Sequence, residues 1–334
     1  MSRPLELQDD RLHPPGSAAN WRESYFFGFH DQEGRAGLTY ISLSPRRRVA
    51  ERILFLLLPK GEHTLVCIQQ DPFSRFEHAV LEEGILQYYC REPLQRWQLR
   101  AGAGCFSIPA GQEVSSALSA AGGEAAPPVR LPLAFDLRFE GRMPAYRLPD
   151  GAWDFLGQGQ EHFEQMGQLS GWLRVGNEEA PFVGLGSRDR SWGVRDWLRH
   201  EWYNWINLQF GEDFFVGVVL SRVEGREAGS GFVYRDGRLL PIAQVTMEAN
   251  RDHEDLHLQA ATLRVVTEQG QTLDLDLAPL SFFHMIVACG NGWQNHDCFS
   301  LVTCRCQGRN GQGFAEYAQR EPISPLTPEK GRLW

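Results

Sequence analysis

The stretch GLGSRDRSWGVRDW, residues 184–197, concentrates five charges and two tryptophans. Arg188, Asp189, Arg190, Arg195 and Asp196 are of the kind that normally sits in water, whereas Trp192 and Trp197 favour burial. Their coexistence points to a buried polar network or to a ligand site. The structural version stacks Arg188 or Arg195 on Trp192 or Trp197, with Asp189 and Asp196 as the carboxylate partners.

The chemical version is acid catalysis. A carboxyl group walled by aromatic rings loses hydration, so its pKa rises and it can give up a proton near neutrality. Aromatic faces then stabilise the cation formed when an alkene or epoxide is protonated. No metal is needed. The candidate acids are Asp189, Glu201 and Glu23. The candidate substrate wall is Tyr25, Phe27, Trp192, Trp202, Tyr203 and Trp205, with Arg188 and Arg190 as polar anchors. An arginine lowers the pKa of a carboxyl group it holds. Asp189, which alternation turns to the face opposite Arg188 and Arg190, is therefore the first choice, and Asp196 reads as structural.

These residues need strands to position them. Apolar and polar residues alternate at strand period over 38–44, 63–70, 133–141, 168–176, 215–223, 230–240, 258–277 and 298–308. The Asp236-Gly237 pair inside YRDGRL marks a hairpin, and VVTEQGQTLDL a second. In EWYNWINLQF, Glu201, Tyr203, Trp205 and Asn207 share one face, and Trp202, Asn204, Ile206 and Leu208 the other. Helical periodicity is scarce, with short helices expected at 112–121 and 72–83. Residues 115–129 read as a long loop and 147–160 as a linker. Both NWRESYFFGFHD and RHEWYNWINLQFGED run from an aromatic strand into an acidic turn. That echo favours two tandem domains, with an N-terminal β domain over 1–155 and a C-terminal β domain over 156–334 carrying RDRSWGVRDW. The fold class expected is all-β, with antiparallel barrels or sandwiches packed together.

Composition narrows the function. The formal net charge of −9, with one short basic run at Arg46–Arg48, argues against a nucleic-acid partner. The apolar run 53–58 is too short to span a bilayer, and the N-terminus has no signal-peptide core, so no integral membrane segment is expected. Seven scattered cysteines make no disulfide framework, and a reducing cytoplasm is the default location. His162 and Glu164 read as a hydrogen-bonded pair rather than a metal half-site, because no third ligand has suitable spacing. Gly184-x-Gly186 lacks the third glycine and the helix of a dinucleotide fingerprint. No phosphate loop and no nucleophile elbow occur. No cofactor is expected. His284 reads as a satisfied core histidine, and 290–298 as a polar loop.

RDRSWGVRDW, together with HFEQMGQLSGWLRVG, GQGFAEYAQR and NWRESYFFGFHD, resembles a family of two-domain lipocalin-like proteins. That family is related to carotenoid 1,2-hydratase (hydroxyneurosporene synthase) and to the AttH-like proteins. The resemblance spans roughly Trp21 to Arg320. It implies two lipocalin-like domains and chemistry on polyenes or terpenoids: addition of water to a double bond, or cyclisation. It implies a carboxylate that protonates substrate between aromatic walls. The family's entry strand often has two tryptophans after its glutamate, whereas Glu23 is followed here by Ser24-Tyr25-Phe26. The reading is a cofactor-independent hydratase, isomerase or cyclase acting on a hydrophobic isoprenoid, polyene or steroid-like small molecule. The alternative is a non-catalytic carrier of a lipophilic ligand, and the discriminator is a buried carboxyl group of raised pKa.

Overall fold

The computed structural model describes residues 3–59, 63–109, 112–115, 129–152, 154, 161–253 and 256–323. The expected loop at 115–129, linker at 147–160 and helix at 112–121 fall largely outside them. The chain is all-β, as its alternation implies. It divides into two compact units, one of Met1–Lys60, Leu65–Ser107 and Arg130–Arg195, the other of Gly61–Thr64, Ile108–Val129 and Asp196–Trp334.

The first unit contains β1 (Trp21–Asp31), β2 (Ala36–Ser44), β3 (Val49–Leu57), β4 (His63–Pro72), β5 (Leu86–Glu92), β6 (Arg96–Pro109), β7 (Arg130–Gly141), the short β8 (Tyr146–Arg147), β9 (Glu161–Val175) and β10 (Glu178–Val194). Between β4 and β5, where a helix was expected over 72–83, there is a 3-10 turn at His78–Glu82. The strands run in the order β10-β1-β2-β3-β4-β6-β7-β9, and β9 pairs back onto β10, so the sheet returns on itself. Strand β10 is the closing strand. Trp192 lies opposite Glu23 of β1 on one side and Glu161 of β9 on the other. The glycines of GLG serve this closure rather than a phosphate. A Cβ on Gly184 would stand 2.1 Å from the His30 carbonyl oxygen, and one on Gly186 2.3 Å from that of Gly28.

The expected boundary at 155 therefore does not match the compact units. Strands β9 and β10 pair with β7 and β1, so most of RDRSWGVRDW belongs to the first unit. The aromatic echo at 199 begins the second ring and misled the division: the two strands before it complete the first.

Inside this first ring lie Tyr25, Phe27, Phe29, Tyr88, Trp97, Phe135 and Phe139, all buried. Phe27 meets Tyr88, Trp97 and Phe139 at centroid distances of 4.9–5.9 Å, in tilted or edge-on geometry. Arg188 and Arg190 point into this interior as alternation requires. Their carboxylate partners are neither Asp189 nor Asp196 but come from far away in sequence. A 3-10 turn at Leu7–Asp10 brings Asp10 in, and Arg188 donates to it at 2.7 and 3.1 Å. Asp10 also accepts from the Leu94 N–H at 2.6 Å and the Trp97 indole at 3.1 Å. Burial alone would raise the Asp10 carboxyl, but the charge and hydrogen bonds of Arg188 hold it below its usual value. Arg190 pairs with Glu23, lies 3.8 Å from the Tyr25 ring centroid, and donates to the Arg11 carbonyl at 2.6 Å. His13 closes the cluster, 2.9 Å from Glu23 and stacked on Trp192 at 3.8 Å.

The second unit contains β11 (Trp202–Gln209), β12 (Phe214–Val223), β13 (Arg226–Arg235), β14 (Arg238–Arg251), β15 (Leu258–Thr267), β16 (Thr272–Gly290), β17 (Trp293–Cys306) and β18 (Arg309–Pro322), which form a closed barrel in chain order. Both predicted hairpins are present, β13–β14 turning at Asp236-Gly237 and β15–β16 at 268–271. Its interior is mainly aliphatic, with Ile206, Leu208, Val216, Val218, Val233, Leu263, Leu275 and Val302. Among the described residues no helix is long and apolar enough to cross a membrane.

The Arg188–Asp10 pair is wholly buried, so removing one partner strands the other charge. Asp10→Ala is expected to cost about 3–5 kcal/mol in denaturant unfolding. The double substitution Asp10→Leu with Arg188→Met should cost much less than the sum of the single changes. A loss below about 1 kcal/mol for Asp10→Ala would show that the clasp does not hold the N-terminal segment.

Candidate acid site on the second barrel

Three neighbouring strands, β11, β18 and β17, set the site by register. Tyr203, Ala318 and Asp297 form one cross-strand row. Trp205, Glu316 and Phe299 form the next row. Directly opposed residues in an antiparallel pair share a face. This face is the outward one, because Ile206, Val302 and Ala315, at the opposite parity, lie in the aliphatic interior.

The outward face is aromatic and mostly buried. Tyr203, Trp205, Phe283, Phe299 and Phe314 are each 5 % exposed or less. Phe299 stacks on Phe283 at 5.5 Å and meets Phe314 at 5.2 Å. Ala318 is the small residue of the row, which leaves Tyr203 and Asp297 room to reach Glu316 from either side. The Tyr203 hydroxyl donates to Glu316 Oε1. The carboxyl groups of Asp297 and Glu316 are hydrogen-bonded to each other. Two carboxyl groups can share a hydrogen bond only if one of them carries a proton. Burial raises the Asp297 pKa to about 7, against the lowering pull of the hydrogen bond to Glu316. Both side chains remain half-buried, so a ligand can touch them although protein crowds them. Above this row His200 Nε2 lies 3.0 Å from Asn295 Oδ1, and its ring meets Tyr203 edge-on at 5.1 Å.

Sequence reading included Tyr203 and Trp205 in the substrate wall but passed over Asp297 and Glu316. Residues 290–298 read as a polar loop because of Gly290 and Gly292. The turn is in fact confined to those glycines, and β17 begins at Trp293, which places Asp297 inside a strand. Glu316 sits at strand period in GFAEYAQ. Trp293, Asn295, Asp297 and Phe299 at every second position were the available signal.

The other predicted residues fall into separate places. Glu23, Tyr25, Phe27, Arg188, Arg190 and Trp192 come together inside the first ring, with Glu23 ion-paired to Arg190. Glu201 stands just before β11, 3.1 Å from Arg222, and accepts from the Gly225 N–H at 2.7 Å. Trp202 turns to the inner side of the second barrel. Asp189 lies on the outward side of β10, opposite Glu164, next to the Ser191–His162 pair. His162 Nε2 is 3.2 Å from Glu164 Oε1. Ser191 bonds Ser24 at 2.6 Å and accepts from Arg195 at 2.9 Å. Burial lowers the His162 pKa to about 4, with Asp189 raising it and Arg195 lowering it. Among the described residues no group of three His, Cys, Asp or Glu side chains is arranged to hold a metal ion.

The titration of Asp297 gives a signed test. A folded-state pKa near 7, above the unfolded carboxyl value of about 3.9, contributes stability that is complete below about pH 4 and lost as pH rises through about 7. His162 slopes the other way, since its depressed pKa contributes stability that is lost as pH falls from about 6.5 to about 4. Urea unfolding of wild type and Asp297→Asn between pH 4 and 8 should therefore diverge. Wild type is expected to lose stability relative to the variant as pH rises from 4 to 7. A pH-independent difference would show that Asp297 is ionised in the folded protein.

Comparison with known proteins places this geometry. No curated protein matches the sequence. Solved structures share the fold, three of them as follows. A candidate AttH from Nitrosomonas europaea is 16 % identical, with a TM-score of 0.59 over 94 % of this chain and 97 % of that one. CghA, crystallised with Sch210972, is 13 % identical with a TM-score of 0.55 over 94 % and 90 %. Kievitone hydratase from Nectria haematococca is 10 % identical with a TM-score of 0.56 over 89 % and 88 %. At these identities the likeness is one of fold, which is the lipocalin-like architecture the sequence implied. A family model described as a domain of unknown function, DUF7064, matches residues 6–321, and the chain belongs to that family.

Proposed function

We propose that the protein is a cofactor-independent acid catalyst that hydrates, isomerises or cyclises a hydrophobic isoprenoid, polyene or steroid-like small molecule. The observation that carries this reading is the Asp297–Glu316 pair: a desolvated, still reachable carboxyl group of raised pKa, bordered by Trp205 and Phe299. Two of the structures named above support a small-molecule role. One is named a hydratase, and the other was crystallised with Sch210972.

The chemistry follows from the parts. Asp297 gives its proton to an alkene carbon, and the π electrons form the new C–H bond. The cation left on the neighbouring carbon faces the rings of Trp205 and Phe299. Glu316, held by the Tyr203 hydroxyl, shares the negative charge left on the pair. In hydration, water adds to the cation and its surplus proton returns to the carboxylate pair. In isomerisation, a carbon-bound proton returns instead. In cyclisation, a second double bond takes the place of water before that proton is lost.

The test is incubation with a panel of apolar alkenes (a linear polyene, an acyclic terpenoid and a sterol), followed by mass analysis. Wild type is expected to yield a product heavier by one water, or an isomer of equal mass. Asp297→Asn should lower turnover by about 10²–10⁴-fold while the protein stays folded. Tyr203→Phe should cost less, since it removes one hydrogen bond from the conjugate base. If Asp189→Asn abolishes turnover and Asp297→Asn does not, the acid lies in the outward row of β10 instead. Recovery of bound but unchanged molecules from every variant would identify a carrier.

A further inference from the structure

The end of the second barrel near Arg251 holds a cation that the acid site does not use. Arg251 ends β14 beyond a bulge that follows Asn250, which sets it opposite the inward-facing Leu258. Its guanidinium lies 3.8 Å from the centroid of the Tyr317 ring and donates to Asn204 Oδ1 at 2.5 Å. Burial pulls its pKa below the usual arginine value.

Its partners differ from those of the buried Arg188, Arg190 and Arg52. Arg188 has Asp10, Arg190 has Glu23 and Arg52 has Asp71. Among the described residues Arg251 has an amide and an aromatic face, and no carboxylate. A guanidinium carries five N–H donors in a rigid fork. One of them is engaged here, and Tyr317 covers one flat side, so the remaining donors present an edge. Arg251 is half-buried, and a cation taken out of water with no carboxylate among the described residues is costly to keep in a folded protein.

The surroundings specify what would meet that edge. Asn204, Tyr317, Cys298 and His284 are cross-strand neighbours on the inward side. Leu220 faces Asn204 in the same row, and one row deeper lie the apolar Ile206, Val218 and Ala315. Ala249, at the inward parity of Val245 and Met247, is exposed, so this end of the barrel opens to solvent. A single guanidinium edge above an aliphatic lining matches one planar monoanion on an apolar chain. A phosphate dianion would call for a second cation.

We propose that this open end is a binding site for an apolar carboxylate, with the carboxylate on Arg251 and the chain against the aliphatic lining. The site is separate from the acid pair, because Asn204 and Tyr317 face inward while Tyr203 and Glu316, their neighbours in sequence, face outward.

Calorimetric titration with decanoate, with 1-decanol as the neutral match, tests this on the full chain. Wild type is expected to bind decanoate at least tenfold more tightly than decanol. Arg251→Met should lose at least tenfold for decanoate and treat the two alike, while Arg251→Lys should fall between. Thermal unfolding separates a binding role from a structural one. Arg251→Met should unfold at the same or a higher temperature, because it removes a half-buried cation. Asp297→Asn should bind decanoate as wild type does. Equal affinity for decanoate and decanol, or undiminished binding by Arg251→Met, would overturn the proposal. So would a lowered unfolding temperature in Arg251→Met, or loss of decanoate binding in Asp297→Asn.

Discussion

A closed antiparallel ring sorts every strand into an inward row and an outward row, and no residue can change rows without a bulge. That constraint decides which side chains meet in this protein. It places Arg188 and Arg190 inside the first ring and Asp189 outside it, though the three are consecutive. It separates Trp202 from Tyr203, and Cys298 from Asp297. Closure also explains the glycines of GLG: a strand hydrogen-bonded on both sides, at the point where the ring shuts, has carbonyl oxygens where a Cβ would stand.

The same constraint determines how each unit handles buried charge. Inside the first ring the charges are kept and paired. Asp10 and Glu23 meet two guanidiniums, and the surrounding aromatics fill the remaining space. Such pairs hold an N-terminal segment in one place, but an ion-paired carboxylate has little tendency to give a proton away. On the outward face of the second barrel the charge is removed instead. Burial pushes the Asp297 carboxyl towards its neutral form, and the hydrogen bond to Glu316 opposes it. A carboxyl group neutralised in this way is what acid catalysis at neutral pH requires. The two devices use the same residue types, and the difference lies in whether a guanidinium is paired directly with the carboxylate.

Much of this was legible in the sequence, and the failures have physical causes. Strand alternation gave the all-β class, both hairpins and the two faces of 201–208, because period-two burial is a local property. The conflict between charge and tryptophan in RDRSWGVRDW correctly marked a buried network. Its partners were not legible, since Asp10 lies 178 residues from Arg188 and ion pairing at that separation leaves no local trace. The domain boundary was misplaced because a ring is closed by its last strands, and the linker-like composition near 150 precedes β9 and β10 rather than following them. Asp297 was hidden by the glycines before it, and Glu316 by its ordinary surroundings. Register alone brings them together, and register across three strands cannot be read from any one of them.

The densest cluster of chemistry-bearing residues in the sequence is the one buried in ion pairs inside the first ring. In the first ring, where arginine, carboxylate and tryptophan crowd together, the Asp10 and Glu23 carboxylates are ion-paired. The acid pair on the second barrel is sparser: two carboxyl groups, one tyrosine and a wall of rings, with Arg320 one row away. A proton donor must hold its proton loosely enough to release it, and a carboxylate with a guanidinium beside it has already lost that proton. The outward row of β11, β18 and β17 also carries Arg320, which lies over Trp293, so acid chemistry there depends on burial outweighing that cation at Asp297.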